Sequence, residues 1–144
     1  MNFEEVLDRY GELVYPNKGT SMMPLLREGR DLMVIKKRPD GRCQKLDAVL
    51  FKRDNGQYVL HRIVRVRESD YLLCGDNQIV REPVREEQIL GVLKAVRRGK
   101  RTIDVHSLGY RTYVRLWTIG YPLRYVYIRL RTLAGRIKRK LLAK

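Results

Sequence analysis

The sequence predicts a mainly β domain, a folded sheet or barrel, with a short helix in front and a basic amphipathic helix behind. Three observations predict it. Strand-like apolar runs at Asp31–Lys37, 46–51, Tyr58–Val66 and 71–74 alternate with turn signals about every ten residues. Residues 2–14 instead repeat their apolar positions at helical spacing. Charge is also divided: of a net +15, residues 97–144 carry +13 and residues 1–96 only +2.

At 144 residues, with 44% hydrophobic content, the chain can bury a core, and no internal repeat or low-complexity stretch breaks it. The division expected is a domain over residues 1–105 and a basic segment over 106–144. Such a segment asks for an anionic partner. Cys43 and Cys74 stand alone, without a CxxC or a Cys/His cluster, so neither a metal nor a cofactor is expected and two reduced thiols are. The acidic opening Met1-Asn2-Phe3-Glu4-Glu5-Val6-Leu7 does not read as a signal peptide. No run of about 20 uncharged apolar residues predicts a conventional membrane span.

In chain order, Phe3, Val6, Leu7, Tyr10 and Val14 share one helical face, with Asn2 and Glu5 spaced as a capping box. Tyr15-Pro16-Asn17 ends that helix. Next comes Lys18-Gly19-Thr20-Ser21-Met22-Met23-Pro24, a small-residue turn in which glycine and the pre-proline restriction exclude a long helix. A serine fixed in such a turn, with Met22 and Met23 able to bury beside it, suits a nucleophile. The strand Asp31–Lys37 follows, then a turn at Arg38-Pro39-Asp40-Gly41-Arg42, then the strand 46–51, apolar enough to be buried on both faces. Asp54-Asn55-Gly56-Gln57 is a hairpin signal. On the partner strand Tyr58–Val66, His61 shares a face with Val59 and Ile63. A neutral imidazole there can take a serine proton near pH 7. Gly75-Asp76-Asn77 after the next strand is a turn by its chemistry.

These pieces resemble a known family. Ser21-Met22-Met23-Pro24, with Asp31 seven residues beyond the proline and a strand after it, is similar to the nucleophile box of type I signal peptidases. The LexA-type self-cleaving repressors share that fold. His61-Arg62-Ile63-Val64 lies where those peptidases carry their general base, a lysine in most bacterial members and a histidine in the branch this sequence resembles. Gly75-Asp76-Asn77 resembles the family's Gly-Asp-Asn box, and Ile89-Leu90-Gly91-Val92-Leu93 its closing strand. The resemblance covers about residues 18–95.

It implies a serine endopeptidase acting on peptide or protein substrates, with leader or signal peptides as a substrate class. Ser21 is the implied nucleophile, His61 the base, and Asp76 or Glu82 the carboxylate that orients it, Asp76 being preferred as the box residue. Thr20, Met22 and Met23 are the implied oxyanion- and substrate-binding positions. Two features depart from the pattern. Gly19 and Thr20 stand where members carry a serine, whose hydroxyl helps bind the oxyanion, and a glycine; the Ser21 N–H and the Thr20 hydroxyl are the remaining donors. The usual N-terminal anchor is not expected either. A rival reading is a peptidase fold with little activity that docks through its tail. A LexA-like regulator ranks lower, since a helix-turn-helix before the domain is not expected from these residues and that class implies a lysine base.

In the tail, Pro122 can start a helix. Leu123, Val126, Tyr127, Leu130, Leu133, Ala134, Ile137 and Leu141 form one apolar stripe flanked by Arg and Lys, beside Trp117, Tyr121 and Tyr125. The partner expected is an anionic membrane surface, on the cytoplasmic side and peripherally bound, with nucleic acid disfavoured.

Overall fold

Helix α1 (Phe3–Tyr10) forms where the apolar spacing places it, and the computed structural model, which describes residues 1–143, begins it with the expected capping box. The Asn2 side chain accepts from the Glu5 N–H at 2.8 Å, and the Glu5 carboxylate accepts from the Asn2 N–H at 3.1 Å. The helix stops short of Val14. Gly11 adopts φ 71°, a left-handed conformation that residues with a Cβ resist, and donates to Leu7 O at 2.9 Å. The chain turns there, and β1 (Glu12–Pro16) takes up Val14 opposite Val34 of β2 (Asp31–Lys37).

β3 (Ala48–Lys52) and β4 (Tyr58–Val66) form the hairpin signalled by Asn55-Gly56, in a register that sets Leu50 opposite Leu60 and Val49 opposite His61. Leu46, expected to open that first strand, lies outside it at φ 78°, its carbonyl held by Arg62 Nη1 at 2.8 Å. β5 (Asp70–Cys74), β6 (Glu82–Arg85), β7 (Ile89–Arg98) and β8 (Arg101–Asp104) complete one eight-stranded antiparallel sheet. Its order is β1-β2-β7-β3-β4-β5-β6, with β8 also paired to β7. β7 runs along β2 on one edge and along β3 and then β8 on the other. The chain is therefore mainly β, with helices at its two ends.

Both faces of the central strands are buried. One apolar cluster holds Leu7, Leu26, Ile35, Leu50 and Leu93; the other holds Val49, Phe51, Ile63, Tyr71 and Leu73. Alternate residues of β3 feed alternate clusters, which is why its sequence is continuously apolar.

The segment after residue 105 forms two helices rather than one. α2 (Leu108–Ile119) starts at Ser107, whose Oγ accepts from the Tyr110 N–H at 3.3 Å, and it buries Tyr110 and Val114 in the first cluster. α3 (Tyr121–Leu142) has Pro122 in its first turn, as expected, and buries no residue. So the front of segment 106–144 packs on the sheet, and its back does not.

Candidate functional site

The serine turn is anchored from below. Met22 and Leu26 are core residues, and Leu26 N–H bonds Met22 O at 3.0 Å. Asn17 is buried and donates from Nδ2 to Gly19 O at 3.2 Å, while the Gly19 N–H reaches Glu28 at 3.0 Å. Asp31 closes the far end. Its carboxylate accepts from the Arg27 N–H at 2.8 Å and from Arg30 and Arg98, and Arg98 also donates to Leu25 O. Burial pushes the Asp31 carboxyl up, but those donors outweigh it and hold it down at about 2. Ser21 is left half-buried on a turn fixed at both ends.

The Gly75-Asp76-Asn77 loop grips that turn from behind. The Asn77 N–H donates to Ser21 O at 2.8 Å, and its side-chain amide donates to Thr20 O at 3.1 Å. Glycine is required at 75 by space: a Cβ there would lie 2.6 Å from Ser21 O. Asp76 N–H faces Met22 Sδ at 3.5 Å. Met22 thus belongs to the packing under the turn, and neither it nor Met23 lines the cleft described below, contrary to the expected substrate-binding role.

His61 and Arg62, neighbours on β4, point to opposite faces of the sheet and engage different carboxylates. His61 Nδ1 stands 3.0 Å from Glu82 Oε1, with only 4% of the side chain exposed. The carboxylate is close without the alignment of a full hydrogen bond, so the contact is chiefly charge to ring. Glu82 is in turn held by Arg53, from Nε at 3.0 Å and from Nη2 at 2.7 Å. Burial lowers the His61 pKa from the ordinary 6.5; Glu82 pulls it up and Arg53 pushes it down, and the net shift is downward.

Asp76, the preferred orienting carboxylate, is engaged elsewhere. It takes Arg62 Nε at 2.8 Å and Nη2 at 2.9 Å, a two-point ion pair in which both side chains are buried. Tyr113 Oη donates to the same carboxylate at 2.7 Å, and Trp117 Nε1 donates to Asp76 O at 2.5 Å. Arg62 also donates to Tyr110 Oη at 3.1 Å. Asp76 therefore ties α2 to the loop that holds Ser21, and the geometry gives the place beside His61 to Glu82.

Ser21 and His61 line one cleft of about 620 Å³, together with Gly19, Thr20, Arg53 and Gln78. No direct Ser21–His61 hydrogen bond is formed among the described residues; the two residues share the cleft and no contact within hydrogen-bond reach joins them. The Ser21 N–H has no protein acceptor among the described residues, and Thr20 is exposed beside it. Arg53 and Gln78 are cleft residues that sequence reasoning missed; Gln78 lies one position beyond the Gly-Asp-Asn box, the one signal that pointed to it. Cys43 and Cys74 are free and buried, and burial pushes the Cys43 thiol up to about 11. Among the described residues no three His, Cys, Asp or Glu side chains are grouped to hold a metal ion. Set against known protein families, curated proteins and solved structures, the chain finds no match.

Proposed function

We propose that this chain is a serine endopeptidase of the signal-peptidase and LexA type, with a histidine base, and that its sheet is the fold of that class. The observation that carries the reading is the cleft shared by Ser21 and His61, with a carboxylate on the imidazole. In this mechanism Nδ1 faces Glu82, so Nε2 is the nitrogen left to take the Ser21 proton. Ser21 Oγ attacks the scissile carbonyl as His61 accepts that proton. Glu82 stabilises the imidazolium that forms, and His61 returns the proton to the leaving amine. In this reading the Ser21 N–H and Thr20 hydroxyl are the donors that meet the oxyanion. Asp76 and Arg62 do no chemistry; they keep the turn in place. Leader or signal peptides are the substrate class the resemblance supports.

The test uses an activity-based fluorophosphonate probe and a panel of leader-like peptides with the full chain. Wild type is expected to form one covalent adduct at Ser21. Ser21→Ala and His61→Ala should each abolish turnover, and the double variant should be no worse than either. Glu82→Gln is expected to cost about a hundredfold or more. Turnover that survives Ser21→Ala would overturn the proposal. A second reading, a peptidase fold that binds without cleaving, is favoured by one observation, Gly19 in place of a second oxyanion donor. Peptide binding by folded wild type with neither adduct nor turnover would select it.

A further inference from the structure

α3 offers a surface that the rest of the molecule does not cover. Leu123, Val126, Leu130, Leu133, Ile137 and Leu141 are each at least half exposed. At about 100° per residue they fall on one stripe of roughly 80°. Seven Arg and Lys and no acid share the helix. Arg124, Arg131 and Lys138 border the stripe on one side, and Arg129, Arg136 and Lys140 on the other.

At the root of α3 lies a second feature. A cavity of about 490 Å³ is walled by Trp117 and Tyr121 and entered by Lys45, Arg65, Arg81 and Arg124. None of these four cations has a carboxylate partner among the described residues. The one acid in the wall, Asp76, is already committed to Arg62. Arg124 stacks over the Trp117 and Tyr121 rings at 4.8 and 5.1 Å, and its Nε is buried without an acceptor. A buried cationic donor left open costs stability unless an anion completes it.

We propose that α3 and this cationic notch form one docking surface for a bilayer containing anionic phospholipid, the notch taking a lipid phosphate and the stripe lying in the acyl boundary. Charge selects this occupant. A second copy would set seven cations against seven, and a nucleic acid would meet the basic borders but leave the apolar stripe in water. Long Arg and Lys side chains on both borders suit a helix lying flat, with their stems on the acyl chains and their heads at the phosphates. The surface does not depend on catalysis, so Ser21→Ala should bind as wild type does, and failure here is separable from failure of the peptidase reading.

The test sediments the full chain with vesicles of phosphatidylcholine alone or with 30% phosphatidylglycerol, at low and high salt. Wild type should bind the anionic vesicles only, and more weakly in high salt. Leu130→Ser with Ile137→Ser, and separately Arg65→Gln with Arg81→Gln, should each weaken binding about tenfold or more; none of these side chains is buried. Fluorescence of Trp117, the only tryptophan, reports the soluble arm with inorganic phosphate and glycerol phosphate. A response to free phosphate without vesicle binding, duplex oligonucleotide binding without vesicle binding, or unchanged binding by the stripe variant would each overturn the proposal.

Discussion

At the scale of single residues, the site depends on how one strand divides its neighbours. His61 and Arg62 turn to opposite faces, and each meets its own carboxylate. For His61 the consequence is a ring that stays neutral to lower pH than a free imidazole. Burial lowers its pKa, and Arg53 adds to the shift. A depressed histidine contributes stability that is fully present above about 6.5 and is lost as pH falls through the lower folded value. On the proposed mechanism, activity should therefore reach its half-point below 6.5, rising as His61 loses its proton. Arg53→Gln should move that half-point upward, since it removes a cation that opposes the imidazolium. The ring signals of His61, one of two histidines, give the check by NMR titration without any substrate. At Gly75 the constraint is space. Gly75→Ala sets a methyl 2.6 Å from Ser21 O, and it should lower unfolding free energy by about 1–3 kcal/mol while cutting adduct formation at Ser21.

Elements add what no residue carries alone. α2 reaches Asp76 through Tyr113 and Trp117, and Arg62 through Tyr110. Asp76→Ala would leave Arg62 buried without its counter-charge and should cost about 3–5 kcal/mol in a urea titration. Arg62→Met with Asp76→Leu should cost much less, because it removes both charges together. The sequence made some elements legible and hid others for physical reasons. β2, β4 and α3 each display enough residues of one period to declare themselves. β6 and β8 have four residues each, too few to show an alternation, and Pro83 argues against a strand wherever it is not at an edge. α2 begins at a plain Ser107, and its two buried residues, Tyr110 and Val114, make only one turn of pattern. The sequence resemblance prefers Asp76 to Glu82, and the geometry reverses that order, because the choice depends on where β6 brings Glu82 back beside β4.

For the whole molecule, the boundary that matters lies at Gly120, between α2 and α3. α3 buries no residue, and its first turn meets the rest through the Tyr121 hydrogen bond to Ile79 O and the Arg124 stack on Trp117, so the chain ended after Gly120 should lose only about 1–2 kcal/mol of unfolding free energy. Ending it after residue 105 removes Tyr110 and Val114 from the core and all three contacts to the Asp76–Arg62 pair. That truncation should cost at least about 3 kcal/mol. Urea titrations of the two truncated proteins distinguish these outcomes. The charge split at residue 97 was readable, but it marks where basic residues begin and not where packing ends. α2 is basic on its outer side and still belongs to the core.

The grip of α2 on the Gly75-Asp76-Asn77 loop also sets an order in time. The serine turn leaves the ribosome first, and Trp117 follows 96 residues later. At ordinary rates of synthesis the interval is on the order of ten seconds. Throughout it Ser21, the proposed nucleophile, is already outside, but the loop behind it lacks its outer brace. Ribosome-bound chains stalled before α2 has emerged should therefore leave a serine-reactive probe unbound, and chains stalled well past it should take the probe up. On the proposed reading, the peptidase is disarmed during its own birth, and it becomes competent only when nearly all of its sheet is already closed against attack.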